Sequence, residues 1–568
     1  MSAVSEPSPA AAPRYASYVG LALIALFMLA QPAGARADPA AADGVRREIA
    51  ALLGSVGPAR QPSADHGTSQ ALRTLYVRTE NAPLWSHDQS ATPEARALLH
   101  ELQGAAAYGL IASVYGTDAI DRLLNGQGAG AEQRRWAQFD VRLSQAALRF
   151  VTDLHYGRVD PVAQGFNLQG AHAGLDLSAT LQALSRSTDV RGTLATAEPP
   201  FYHYKLLKDA LPRYQALVQH PELTRIPAPP PRLKIGDAYQ GAPALRRLLE
   251  AVGDLPAGNN AANAAPTFDD ALSAGLQAFQ KRHGLAPDGV LGKATYAALT
   301  TSFARRERQI DLTLERWRWL PPFQTPPIVV NIPQYHLYAF ATPEDRVAGI
   351  LDMGVIVGRA YPSSQTPVFE ANMSYLEFRP YWNVPYSITK NEMLPKIRAN
   401  PHYLAAQRLE IVGGQQDSSP TLAPTPENIA ALASGRLRLR QKPGADNALG
   451  LVKFMFPNRY NVYLHSTPAH RLFNETVRTF SHGCIRVSDP VGLAAYVLRN
   501  NSGDWTPQKI QQVMNGTQTQ RVNLAQPINV LILYGTALAT EAGSMMFFDD
   551  VYGHDKKLER ELGLAPLP

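Results

Sequence analysis

"NVYLHS", Asn461 to Ser466, and "SHGCIRVS", Ser481 to Ser488, are two short runs in which apolar and polar residues alternate. Alternation with a period of two is the signature of a strand with one buried face. It sends Val462 and Leu464 one way and Tyr463 and His465 the other. In the second run Ile485 and Val487 point to one face, Cys484 and Arg486 to the opposite one. If both strands bury their apolar faces in one core, His465 and Cys484 emerge on the same side. Eighteen residues lie between them, enough for a loop that returns the chain beside itself.

Cys484 is the only cysteine in 568 residues, so it has no partner for an internal disulfide. A lone thiol is either a small buried apolar residue or a nucleophile. An imidazole within hydrogen-bond reach favours the attacking thiolate. Gly483 permits close backbone approach, so the N–H groups of Gly483 and Cys484 are candidates to receive an oxyanion. His482 either holds the loop or bonds substrate. Arg486 either binds a substrate carboxylate, supports the thiolate, or serves as a structural ion-pair partner. A zinc site built from Cys484, His465, His470 and His482 is a rival reading. Its ligands lack the closely spaced pairs usual in structural sites.

The compartment follows from the N-terminus. An apolar run from about Val19 to Ala30 follows Arg14 and ends near Ala35-Arg36-Ala37, a small-x-small pattern. The run is short of the roughly 20 apolar residues that span a bilayer. Residues 1–37 therefore read as a signal peptide, with an uncleaved anchor as the alternative. Either way the folded part is exported, and no later segment is apolar enough for a second span.

Hydrophobic residues make up 45% and charged residues 18%, which allows a large core. A net charge of +6 is a small excess over this length, and no long Lys/Arg run is present. Nucleic-acid binding is disfavoured. The chain then divides by texture into a multidomain α+β protein. Residues 38–232 show helical spacing, as in "EQRRWAQFDVRLSQAALRFVTDLHYGRV", and end at the proline linker "IPAPPPRLKIG". Residues 233–302 form a compact three-helix unit. Residues 303–540 carry the β-type runs, interrupted at about 390–450 by a mixed insert, and 541–568 form a C-terminal tail.

The three-helix unit resembles the peptidoglycan-binding module found beside cell-wall enzymes, through Phe279-Gln280, Gly284-Leu285, Asp288-Gly289, Gly292 and Thr295. The β-rich region resembles an L,D-transpeptidase catalytic domain. That likeness rests on His465 followed by Ser481-His482-Gly483-Cys484-Ile485-Arg486, and extends through "QTPVFEANMSYLEFRPYWNVPYSI". Smaller members often carry Asn where Arg486 stands here; arginine marks the large Gram-negative subgroup.

The resemblance implies a sandwich-like β domain with its site at one edge, and a cysteine acyltransferase. Cys484 would attack a peptidoglycan tetrapeptide stem and release D-alanine. The thioester would pass to a diamino acid side-chain amine, giving a 3→3 cross-link. The implied catalytic residues are Cys484, His465, His482 and Gly483, and the implied substrate-facing residues Arg486, Ser481, Tyr463 and Trp382. Trp382 is weighed against a core role. One amide is exchanged for another, so no cofactor and no metal are expected. The expected partners are peptidoglycan stem peptides and, as a further class, other cell-wall synthesis enzymes, in the periplasm. The insert is expected to cap the site, as in the large members. A hydrolase or protein-to-wall ligase of the same fold, and a non-catalytic wall-binding scaffold, are the competing readings.

Overall fold

The computed structural model describes residues 39–55, 67–127, 131–168, 174–258, 266–340, 351–400, 402–414, 416 and 418–567. The leader expected at 1–37 lies outside the described residues. Among those residues no helix is long and apolar enough to cross a membrane.

The N-terminal region is helical, as its 3.6-residue spacing requires. The helix Glu132–Tyr156 buries Trp136, Phe139, Leu143, Phe150 and Leu154 along one stripe. Shorter helices, among them Thr68–Arg78 and Pro93–Gln103, pack around it into one hydrophobic cluster. The Thr92 hydroxyl caps the second of these by accepting from the Ala95 N–H at 3.1 Å.

Three helices, Ala242–Val252, Asp270–Arg282 and Lys293–Leu299, form the next unit. Gln280 is fully enclosed and ties its turn together. Its Nε2 donates to Asp288 Oδ1, the Val290 carbonyl and Thr295 Oγ1, while its Oε1 accepts from the Gly289 N–H. Gln280, Asp288, Gly289 and Thr295 thus act as internal braces here. The core of this unit is shared with the helices Tyr202–Val218 and Phe303–Arg318 and with the hairpin Ala537–Ala539/Met545–Phe547. Residues 541–568, expected as a tail, are instead built into the fold. Asp555 is buried and paired with Arg316 at 2.6 Å, and Leu558 lies in the β-domain core.

The β domain is sandwich-like, with a ladder that runs continuously around both layers. The nine strands follow the order Thr479–Ser481, Leu351–Gly358, Ile485–Val487, Leu464–His465, Val452–Met455, Phe369–Phe378, Gln520–Leu533, Ile328–Asn331, His336–Ala339. Leu351–Gly358 closes the circuit, pairing His336–Ala339 through its first half and Ile485–Val487 and Thr479–Ser481 through its second.

The insert is a unit of its own. A four-stranded sheet, Trp382–Asn383, Arg438–Gln441, Leu409–Val412 and Thr421–Leu422, packs on Ile388, Leu394, Ile397 and Leu432. It opens at Trp382 rather than near Lys390, because Trp382 and Asn383 pair with Gln441 and Arg440. Buried Asn447 stitches its neck, donating to the carbonyls of Pro380 at 3.2 Å and Lys442 at 3.0 Å.

Candidate active site

Leu464 and His465 pair in parallel with Ile485 and Arg486. The apolar partners Leu464 and Ile485 are fully buried in the domain core, with Val462 and Val487 beside them. Tyr463, His465, Cys484 and Arg486 therefore leave the opposite face together. The register puts Tyr463 opposite Cys484 and His465 opposite Arg486. Thiol and imidazole are diagonal neighbours, and among the described residues no hydrogen bond joins them.

The thiol is half-buried and donates to the Asn461 carbonyl at 3.7 Å. Burial pushes its pKa up; the Tyr463 amide, the Tyr463 hydroxyl and the Arg486 charge pull the other way. The His465 ring is buried, and its Nδ1–H donates to the Ser466 carbonyl at 2.6 Å. That tautomer leaves Nε2 unprotonated and able to accept a proton. Burial and the neighbouring guanidinium of Arg486 push its pKa down to about 3. The two shifts both run against a preformed thiolate–imidazolium pair.

The turn carrying the thiol is braced from within. Gly483 has φ 117°, a conformation that side-chain-bearing residues rarely adopt. The buried Ser481 hydroxyl donates to the Cys484 carbonyl at 2.5 Å and accepts the Gly483 N–H at 3.1 Å. Ser481 is therefore committed to the turn rather than to substrate. The Gly483 N–H, expected as an oxyanion donor, is likewise engaged, whereas the Cys484 N–H makes no hydrogen bond among the described residues. Thr366, buried beneath, donates to the Gly483 carbonyl at 2.8 Å and accepts from the Gly358 N–H at 2.9 Å. A Cβ on Gly358 would lie 1.9 Å from the Ser364 carbonyl, so this approach needs glycine.

His482 turns away from the thiol. Its Nε2 lies 2.5 Å from Glu392 Oε1 and 3.4 Å from Arg359 Nη1. Arg486 is half-buried, its Nε enclosed without a partner, and no carboxylate pairs with it among the described residues. Trp382 packs on the insert's own hydrophobic cluster rather than at the thiol. Among the described residues no group of three His, Cys, Asp or Glu side chains gathers as a metal site, so the rival zinc ligands do not converge.

Glu392, Arg359, Thr366 and Asn461 reach this site without having been read from the sequence. Tyr552 joins them from the C-terminal segment, its hydroxyl donating to the Gly358 carbonyl at 2.6 Å. Thr366 stands in the stretch that carries the family likeness. Asn461 opens the alternating run "NVYLHS", but alternation fixes only faces and not the contact its carbonyl makes; Glu392, Arg359 and Tyr552 lie in segments whose local pattern says nothing of their neighbours in space.

Residues 326–519 match the family model described as "L,D-transpeptidase catalytic domain", residues 240–299 "Putative peptidoglycan binding domain", and residues 70–211 "Scaffold domain". The chain carries an L,D-transpeptidase catalytic domain beside a peptidoglycan-binding domain. A curated relative from Haemophilus influenzae, named "Putative L,D-transpeptidase", is 31% identical over 251 residues, 44% of this chain. The aligned part spans 49% of that relative, so the chain matches about half of its length.

Proposed function

We propose that this protein forms 3→3 cross-links in peptidoglycan by a cysteine acyl transfer. The observation that carries the reading is the shared face of His465 and Cys484, with Nδ1 of the imidazole spent on the Ser466 carbonyl. Sulfur attacks the carbonyl carbon of the amide that joins the third stem residue to D-alanine. Nε2 of His465 takes the thiol proton and delivers it to the departing amine. The free Cys484 N–H faces the developing oxyanion. A diamino acid amine from a second stem then attacks the thioester, gives its proton to His465, and the thiol is restored. Amide is exchanged for amide, so the reaction needs no external energy source.

Unpaired Arg486 is suited to a substrate carboxylate, since a half-buried cation without a counter-charge gains from an anionic ligand. The peptidoglycan-binding domain supports a wall polymer as the substrate. The leader expected at 1–37 would deliver the chain to the periplasm, where that polymer lies. We assign 38–232, 233–302 and 303–540 as helical, wall-binding and catalytic regions on the same footing. The insert, from 382 to about 447, is proposed to cap the site.

Mass spectrometry of muropeptides after incubation with the purified protein tests the reading. Tetrapeptide–tripeptide dimers with release of D-alanine are expected. Tripeptide monomers alone would make the protein a hydrolase, and an unchanged profile would leave only a wall-binding scaffold.

A further inference from the structure

The tie between His482 and Glu392 joins two units that are otherwise anchored separately. His482 belongs to the turn that carries Cys484, and that turn is fixed to the β domain through Ser481 and Thr366. Glu392 belongs to the insert. It lies in a single wide π-helical turn, Thr389–Met393, between Ile388 and Leu394, which are both buried in the insert core. A π turn interrupts regular helix at a cost in local geometry, and such turns recur at functional positions. Here the wide turn carries a carboxylate that accepts from His482 Nε2 at 2.5 Å.

We propose that Glu392 is a positioning residue that couples the insert to the catalytic turn. When the insert is seated, its carboxylate holds His482 and so fixes the outer side of the turn that presents the Cys484 sulfur and N–H. When the insert lifts, that side is released. Seating the cover and ordering the turn that presents the sulfur and the oxyanion-facing N–H are then one event, which places the reactive thioester under the insert only when the turn is set to use it.

The side chains of the pair are 32% and 41% exposed, so the tie is screened by water and salt. This suits a latch that must open for each stem. Arg359 approaches the same His482 nitrogen from the β-domain side, its Nη1 at 3.4 Å. Its own N–H donates to the Ser481 carbonyl at 2.9 Å, so it is fixed to the turn and not to the insert.

The inference rests on the proposed acyl transfer for its role in turnover, but the latch itself is read without substrate. The full chain is compared with Glu392→Ala and Glu392→Gln by hydrogen–deuterium exchange and by the rate of Cys484 alkylation with iodoacetamide. Cross-linking and hydrolysis of a tetrapeptide stem are measured in parallel. In Glu392→Ala, exchange across 386–399 is expected to rise and alkylation to quicken. The kcat for transfer is expected to fall about 10-fold, as misplaced groups produce, with KM little changed and a larger share of tripeptide. Glu392→Gln keeps an acceptor oxygen and is expected to restore most of the transfer share. Unchanged exchange and alkylation in Glu392→Ala would overturn the latch. Raised exchange with an unchanged ratio of transfer to hydrolysis would reduce Glu392 to a structural tie. A wild-type protein that releases no D-alanine would sink the acyl-transfer reading alone, since exchange and alkylation still decide the latch.

Discussion

His465 and Arg486 stand opposite one another across a parallel strand pair, so a guanidinium lies beside the imidazole. Together with burial, that charge holds the ring neutral down to about pH 3. The ring is therefore neutral throughout the neutral range and well into acid.

Replacing Arg486 by Gln should move the acid limb of turnover upward. The wild-type ring has a depressed pKa, so protonation disables it only near that value; without the neighbouring cation the pKa rises and the ring is lost to protonation at higher pH. The thiol moves in the same direction, since the charge that favours the thiolate is gone. A kcat–pH profile checks the first effect, and alkylation rate against pH the second. An acid limb that stays in place would show that Arg486 does not act on His465.

The same ring has a consequence for stability. In an unfolded chain histidine titrates near 6.5, whereas folded His465 stays neutral to about 3. Between those values the unfolded chain binds more protons, so stability is fully present above about pH 6.5 and declines as pH falls. His554, pushed down to about 4 by burial and Arg316, adds to the same trend. Thermal melts from pH 7 to pH 4 should show a progressive fall, smaller in His554→Gln. A flat profile would contradict the burial argument.

Tyr463→Phe should leave the fold intact and raise the thiol pKa. The hydroxyl that faces the sulfur is removed while the Tyr463 amide remains, so the effect is partial. Alkylation at pH 8 is expected to slow by about 2- to 5-fold, in keeping with loss of one stabilising hydrogen bond to the charged form. A faster reaction would mean that the ring shields the thiol more than its hydroxyl supports it.

Thr366→Val removes a hydroxyl that serves two backbone groups in a buried place. Leaving the Gly483 carbonyl and the Gly358 N–H without partners should cost about 2–6 kcal/mol, at about 1–3 kcal/mol for each group. Denaturant unfolding measures that loss. Turnover should fall as well, because the turn below the thiol loses its inner brace. Thr366→Ser, which keeps the hydroxyl, is expected to retain both.

Cys484→Ser is expected to fold normally by circular dichroism and to form no cross-links, because a hydroxyl is the poorer nucleophile. Wild-type protein should gain the mass of a carbapenem at Cys484, and the Ser variant should not. A folded Ser variant that cross-links at the wild-type rate would refute the assignment of the nucleophile.

Strand polarity around the thiol was legible from sequence because it depends only on a two-residue period and on where apolar side chains must go. Val462, Leu464, Ile485 and Val487 placed themselves in the core, and that alone put His465 and Cys484 on one face. The three-helix unit was legible for a similar reason, its apolar stripe and turn glycines being local. Partnership across the chain was not. The parallel register that sets Tyr463 rather than His465 opposite Cys484 depends on how far the intervening loop carries the strand. The start of the insert at Trp382 is set by pairing with Gln441, which lies beyond the insert's helices. Ser481 engages its own turn, and the tail at 541–568 reaches the site through Tyr552. Period and composition act over a few residues, whereas register, enclosure and charge proximity are decided only when distant segments close on one another.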